Sequence, residues 1–445
     1  MSKTAAGTIG QSASAPVPGR LGLLGFCATV LVFLAVGRFT DFVPFLRGLP
    51  LVKVVAALAV LALLFERVPG MSAQGWKTPI ARNSLLLLLM TVVSVLFSIW
   101  KSKSLEFVLD ADPVLVLIFL VVSRVATSWL GLKRVLAALA FCGVVLAVVA
   151  VASYGGGRAA VQAWYDTNDL AYVLDTLLPV AFALSHVYGG RARLFWLAAC
   201  GLFVVVIVLT GSRGGVIGLV LLLIGFLFLG TGEGPRRHIG KTLFKSALWG
   251  VVACAIVAIS WPYLPAVTQE RLQSLTNLGS DYNMEAGNTD SRVDIWKRGL
   301  TQLAGRPIGF GVGTYMAVDG RTGGVYHTAH NSVVLVLVEL GVIGGLLFLR
   351  QYRLAWRSLK DKLAALHAGL AADGTRTPAI AGQAAIAGCL RMTLIGNFAA
   401  GFFLSQSYSF LLWSIFAAIS GFCVLPSGAE LPVSGSRSAP AQRSS

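Results

Sequence analysis

Twelve apolar runs follow one another along this chain, each about as long as the roughly 17–25 residues needed to cross a bilayer as a helix. They fall at about 21–39, 49–65, 83–100, 113–130, 135–153, 168–188, 193–211, 214–230, 243–262, 329–349, 381–404 and 406–425. A run of that length without charge must satisfy its own backbone inside lipid, and a helix does so. The chain therefore reads as an all-α integral membrane protein of about twelve transmembrane helices. Its composition agrees: 56% of the 445 residues are hydrophobic and 12% are charged, against roughly 25% charged in soluble proteins.

The net charge of +17 could suggest a nucleic-acid partner, but the basic residues sit in short loops between apolar runs. There they are an orientation signal, so membrane lipids are expected as surroundings and no nucleic acid as a partner. Lys and Arg concentrate in the segments that share a side with the N-terminus, which puts both termini in the cytoplasm and the 263–328 loop outside. The expected organisation is a disordered tail over 1–20, nine spans over 21–262, the long loop over 263–328, three spans over 329–425 and a second tail over 426–445. The six cysteines (Cys27, Cys142, Cys200, Cys254, Cys389, Cys423) all fall in apolar runs and read as small core residues.

The chemistry gathers where the long loop meets the tenth run, at His327-Thr-Ala-His330-Asn331. An ionisable group at the mouth of a span reads as functional by default. His330 is there either as a general base working near neutral pH or as a cap on the helix. His327 and His330 would be half of a metal site, but no third ligand stands at a recognisable spacing, so no metal and no cofactor is expected. Arg213, in Ser212-Arg213-Gly214-Gly215, sits at the lip of a span before a helix N-terminus, a good setting for an anion. Asp290-Ser291 and Gly305-Arg306-Pro307 look like the start and stop of a helix in the long loop. Val293, Trp296, Leu300 and Leu303 would form its apolar face, with Arg292 and Trp296 sharing one side. Thr167 or Asn168 is expected to cap the span that follows it. Arg391 needs a partner within the bilayer, with Glu339 and Asp175 as options. Two arginines and a histidine at one lipid–water boundary suit a lipid-linked diphosphate sugar: cations for the leaving diphosphate, a base for an acceptor hydroxyl.

The order Ser212-Arg213-Gly214-Gly215, Asp290-Ser-Arg292-Val-Asp-Ile-Trp296, Pro307-Ile-Gly-Phe-Gly-Val-Gly313, His327-Thr-Ala-His330-Asn331 and Glu339-Leu-Gly341 resembles the O-antigen ligase / O-antigen polymerase superfamily. The resemblance implies a membrane glycosyltransferase of the GT-C type in a bacterial inner membrane. Its long periplasmic loop would contain helices. The implied reaction moves O-antigen polysaccharide from undecaprenyl diphosphate to lipid A–core oligosaccharide with inversion and without a metal. Arg213 and Arg292 would bind the diphosphate and His330 would activate the acceptor. His327, Asn331, Glu339, Asn168 and Trp296 would support them. An O-antigen polymerase or a protein O-oligosaccharyltransferase of the same superfamily is the near alternative. A twelve-span transporter is the distant one, and it would rest its function on Asp175, Glu339 and Arg391 instead.

Overall fold

The computed structural model describes residues 21–229 apart from 43, 47 and 162–164, a few positions between 248 and 259, and then 261–274, 291–373 and 377–428. Most of the expected span at 243–262, together with Trp164, the acidic residues Asp281, Glu285 and Asp290, Cys254, the 1–20 tail and most of the 426–445 tail, lies outside the described residues.

Among the described residues the protein is helical and carries no strand, only an isolated bridge between Val161 and Tyr165. The helices that matter here are α1 Gly22–Ala35, α2 Leu51–Phe65, α3 Pro79–Leu96, α4 Lys101–Asp110, α5 Asp112–Val125, α6 Trp129–Ala152, α7 Thr167–Val187, α8 Gly190–Leu209 and α9 Arg213–Leu229. They continue with α10 Ala266–Gln273, α11 Arg292–Gly305, α12 Tyr315–Arg321, α13 Ser332–Asp373, α14 Pro378–Gly401 and α15 Phe410–Val424. Six of them (α3, α6, α7, α8, α13 and α14) are long and apolar enough to cross a membrane. Four shorter apolar helices (α1, α2, α9 and α15) coincide with further expected spans. The chain is a multi-pass membrane protein.

Sequence chemistry explains the helix starts. Thr78 and Thr377 each stand before a proline, and their side chains accept from Ala81 N at 3.1 Å and Ile380 N at 3.4 Å. A proline loses nothing at the first helical position, and the threonine satisfies an amide that lipid could not. Ser128 and Ser409 cap α6 and α15 in the same way. Small residues let the helices approach closely, as is usual in membranes. A Cβ on Gly396 would lie 2.9 Å from the Asp175 carbonyl oxygen, and one on Gly218 would lie 2.6 Å from the Asp175 carboxylate. So α14 and α9 both press on α7, and Asp175 is fully buried between them. The described cysteines carry free thiols, with Cys27, Cys142 and Cys389 buried in the core.

Several expectations need correction. Arg391 pairs with neither Glu339 nor Asp175; its guanidinium lies over the Trp356 ring, 4.4 Å from the centroid. An aromatic face offers a cation a partner without a second buried charge. The α7 cap is Asp166, one residue earlier than expected, accepting from Asn168 N and Asp169 N at 2.7 Å each. The long loop carries helices as expected, and among its described residues these include α10, α11 and α12. On α11 the buried face is Ile295, Gly299 and Leu303, while Leu300 is exposed. Gly299 is invisible to an apolar pattern, yet it lets the Tyr315 ring lie against the helix.

The tenth run is not one regular span. α13 continues to Asp373, well beyond the apolar stretch, and it is interrupted at Gly341 (φ 73°, ψ −174°). The Pro307–Gly313 turn is spliced into that interruption. Phe310 N donates to Val338 O at 3.0 Å, Gly311 N to Glu339 O at 2.9 Å, and Val342 N to Pro307 O at 2.9 Å. Backbone groups that the broken helix cannot satisfy are thereby satisfied by protein, as irregular backbone at membrane depth requires.

Candidate functional site

The site lies at one end of the bundle, where the C-terminal ends of α6, α8 and α14 meet the N-terminal ends of α7, α9, α13 and α15. The loops there are tied to one another. Ala159 N donates to Leu209 O at 3.0 Å, Gln406 Nε2 to Asp169 Oδ1 at 2.7 Å, and the Tyr172 and Ser409 hydroxyls are 3.1 Å apart.

His330 stands two residues before α13. Its backbone has φ 44°, a left-handed conformation that few residues other than glycine adopt. Its neighbours fix it there. His330 N donates to Ser405 Oγ at 3.0 Å, and the preceding carbonyl of Ala329 accepts the Trp296 indole N–H at 2.7 Å. The following Asn331 is buried and caps α13, its Oδ1 accepting from Val333 N at 2.9 Å and Val334 N at 3.0 Å. Asn331, not His330, therefore performs the capping, and the imidazole is left for other work. Strain held in place by surrounding structure is a mark of functional sites.

Burial lowers the His330 pKa to about 4, and the Arg292 charge and then His327 push it the same way against a smaller opposing effect of Asp166. The ring is neutral at pH 7, the form that can accept a proton. His327 is anchored through its backbone: His327 N donates to Asp319 Oδ2 at 3.0 Å. Buried Asp319 also receives Arg298 Nε at 2.8 Å, which ties α11, α12 and the histidine loop together.

Arg292 is the first residue of α11, whose cap Ser291 accepts from Asp294 N at 3.2 Å, as the Asp290-Ser291 start predicts. Trp296 lies one turn on, with its ring 5.6 Å from Phe402 at the end of α14. Arg213 is the first residue of α9. Its Nη1 donates to Ser274 Oγ at 3.0 Å, and that hydroxyl donates to Arg271 O at 2.8 Å. Ser212 accepts from Gly215 N at 3.3 Å and so caps α9.

Glu339 does not join this group. It is buried about two helical turns into α13 from its start beside His330, and its Oε1 accepts from Tyr315 N at 3.2 Å. Its work is to hold the Gly311–Tyr315 turn against α13. Asn168 touches the site only through its Oδ1, 3.5 Å from Arg158 Nη2.

Residues 194–349 match the family model described as O-antigen ligase. Over this segment the chain is similar to that family. No curated protein matches the chain. The matched segment contains Arg213, Arg292, His327, His330 and Glu339, and leaves Arg158 and Asn168 outside it.

Arg158 and Arg271 are site residues that the sequence does not single out. Arg158 Nε donates to Thr210 O at 2.7 Å, immediately before the Ser212-Arg213 turn. Burial lowers its pKa to about 10, and Arg271, Arg213 and Arg292 all push in the same direction, opposed by Asp166. Four guanidinium groups therefore gather at this end of the bundle, close enough for the other three to act on Arg158. Arg158 follows Tyr154-Gly155-Gly156-Gly157, a loop that looks like a bare connector. Only the glycines, which let the chain double back onto Thr210, hint at the contact.

Proposed function

We propose that this protein transfers O-antigen polysaccharide from undecaprenyl diphosphate to a hydroxyl of lipid A–core oligosaccharide. The proposed setting is the periplasmic face of a bacterial inner membrane, with both termini cytoplasmic. In this reading the helical bundle is a twelve-span GT-C enzyme. The observation that carries it is the gathering of Arg158, Arg213, Arg271 and Arg292 at the end of the bundle where His330 is held neutral in a left-handed backbone conformation.

Clustered guanidinium groups are costly unless an anion joins them, and they bind phosphate oxygens through paired N–H donors. Arg213 and Arg292 hold the diphosphate, with Arg158 and Arg271 completing its surroundings. The N-termini of α9 and α11 add partial positive charge at the same place. The acceptor hydroxyl oxygen attacks the anomeric carbon while His330 takes the hydroxyl proton. The bond from the anomeric carbon to the diphosphate oxygen breaks, and the electron pair leaves with the diphosphate into the arginine cluster. This is one displacement and it inverts the anomeric centre. No metal has a role in it. His327, Asn331 and Trp296 set the position of His330, Asn168 steadies Arg158, and Glu339 holds the turn beneath the site.

The test is transfer by the purified protein with undecaprenyl-diphosphate-linked glycan and lipid A–core, with and without a chelator, beside His330→Ala. Product on lipid A–core that is lost in the variant and insensitive to the chelator supports the reading. Glycan lengthened on the lipid carrier instead makes the protein a polymerase. No product from folded wild-type protein overturns both.

A further inference from the structure

The end of α13 far from His330 carries a second cationic feature that the transfer reaction does not use. Arg350 lies on the part of α13 beyond the interruption at Gly341 and meets Asn83 near the start of α3, whereas Ser94, near the end of α3, meets the Pro307–Gly313 turn. Arg350 therefore lies toward the end of the bundle away from His330. The apolar row that faces outward on this stretch is exposed: Ile343 is 64%, Leu346 61% and Leu349 40% accessible.

That row runs directly into three arginines. A cavity of about 560 Å³ is lined by Leu346, Leu349, Arg350, Arg353, Leu354 and Arg357. These positions recur at three- and four-residue spacing, so they share one face of the helix. The cavity has leucines on its membrane side and guanidinium groups on its water side. Arg350 is steadied by the neighbouring helix: its Nη1 donates to Asn83 Oδ1 at 2.9 Å, and Asn83 Nδ2 donates to Leu347 O at 2.9 Å. Among the described residues none of the three arginines has an ion-pair partner. A basic loop that only orients a membrane protein needs no such arrangement, because its charges need share neither a face nor a cavity.

We propose that this groove on α13 binds an anionic phospholipid, in the leaflet opposite the His330 site. Acyl chains lie along Ile343, Leu346 and Leu349, and the headgroup phosphate is held by Arg350, Arg353 and Arg357. The charge selects an anionic headgroup over a zwitterionic one, and the continuous leucine row selects a lipid over a free ion. The site is independent of the transfer reaction at the other end of the bundle.

Lipid binding to the purified full-length protein, measured by native mass spectrometry, tests this. The probes are phosphatidylglycerol and phosphatidylcholine with the same chains. Wild type should bind phosphatidylglycerol about tenfold or more tightly than phosphatidylcholine. Arg353→Gln/Arg357→Gln should remove most of that preference. It leaves Arg350 and its bond to Asn83 in place, so the fold is kept, as thermal melting would report. Arg191→Gln/Arg193→Gln, which removes two exposed basic residues elsewhere, should keep the preference. Equal binding of both lipids by wild type, an equal loss in the control variant, or an unchanged preference in Arg353→Gln/Arg357→Gln would each overturn the proposal. So would full displacement of phosphatidylglycerol by inorganic phosphate.

Discussion

Trp296 donates its indole N–H to the carbonyl of Ala329 at 2.7 Å, across 33 residues of chain. That bond joins the helix that begins with Arg292 to the residue that precedes His330, so the cation and the base are held by one contact. Trp296→Phe keeps the ring against Phe402 but leaves the Ala329 carbonyl without its donor, at a cost of about 1–3 kcal/mol if it stays dry. We expect transfer to fall by more than thermal stability does, checked by comparing initial rates with the melting temperature.

His330→Gln removes the base and keeps a polar side chain. We expect transfer to fall by about 10²–10⁴, while the protein inserts and melts as wild type does, because Asn331 rather than His330 caps α13. A variant that retains most of its activity would show that another group takes the proton.

The pH dependence follows from the direction of the His330 shift. Its pKa is lowered to about 4 in the folded protein, from about 6.5 in an unfolded chain. The unfolded state then binds more protons between those values, so the His330 contribution to stability is fully present above about 6.5 and is lost as pH falls toward 4. Free enzyme should likewise keep its base neutral well below pH 6.5. A bound diphosphate adds negative charge beside Arg292 and raises the His330 pKa. We expect the acid limb of kcat to lie at higher pH than that of kcat/KM, and coincident limbs would argue against a donor next to His330.

Arg213→Lys keeps the charge and loses the paired donors of the guanidinium. We expect at least a tenfold loss of transfer, with Arg158→Gln losing donor affinity in the same assay although it lies outside the matched segment. Titration of the donor against each variant separates a raised KM from a lowered kcat. Unchanged kinetics for Arg158→Gln would restrict the anion site to Arg213, Arg271 and Arg292.

Gly341→Ala tests the splice in α13. A Cβ there would lie 2.4 Å from the Pro307 carbonyl oxygen, at a φ of 73° that side chains rarely adopt. Backbone must move to admit it, so we expect a loss of a few kcal/mol of stability, read as a lowered melting temperature together with weakened transfer.

Local features follow from the order of residues along the chain. Unbroken apolar length dictates membrane helices, Ser291 starts α11 where an N-cap residue is expected, and an ionisable His330 beside an apolar run places chemistry at a boundary. The ordered motifs from Ser212 to Gly341 carry the O-antigen ligase resemblance. The other features depend on contacts between residues far apart in the chain. Arg158 joins Arg213 because its guanidinium reaches the Thr210 carbonyl. Gly341 breaks its helix because the Pro307–Gly313 turn fills the gap with backbone hydrogen bonds. Arg391 sits over Trp356, 35 residues away, where charge pairing within the bilayer pointed to an acid. Spacing along a helix reports which side chains share a face, but which surface meets that face is set by packing, and at this site packing brings the cations to the base.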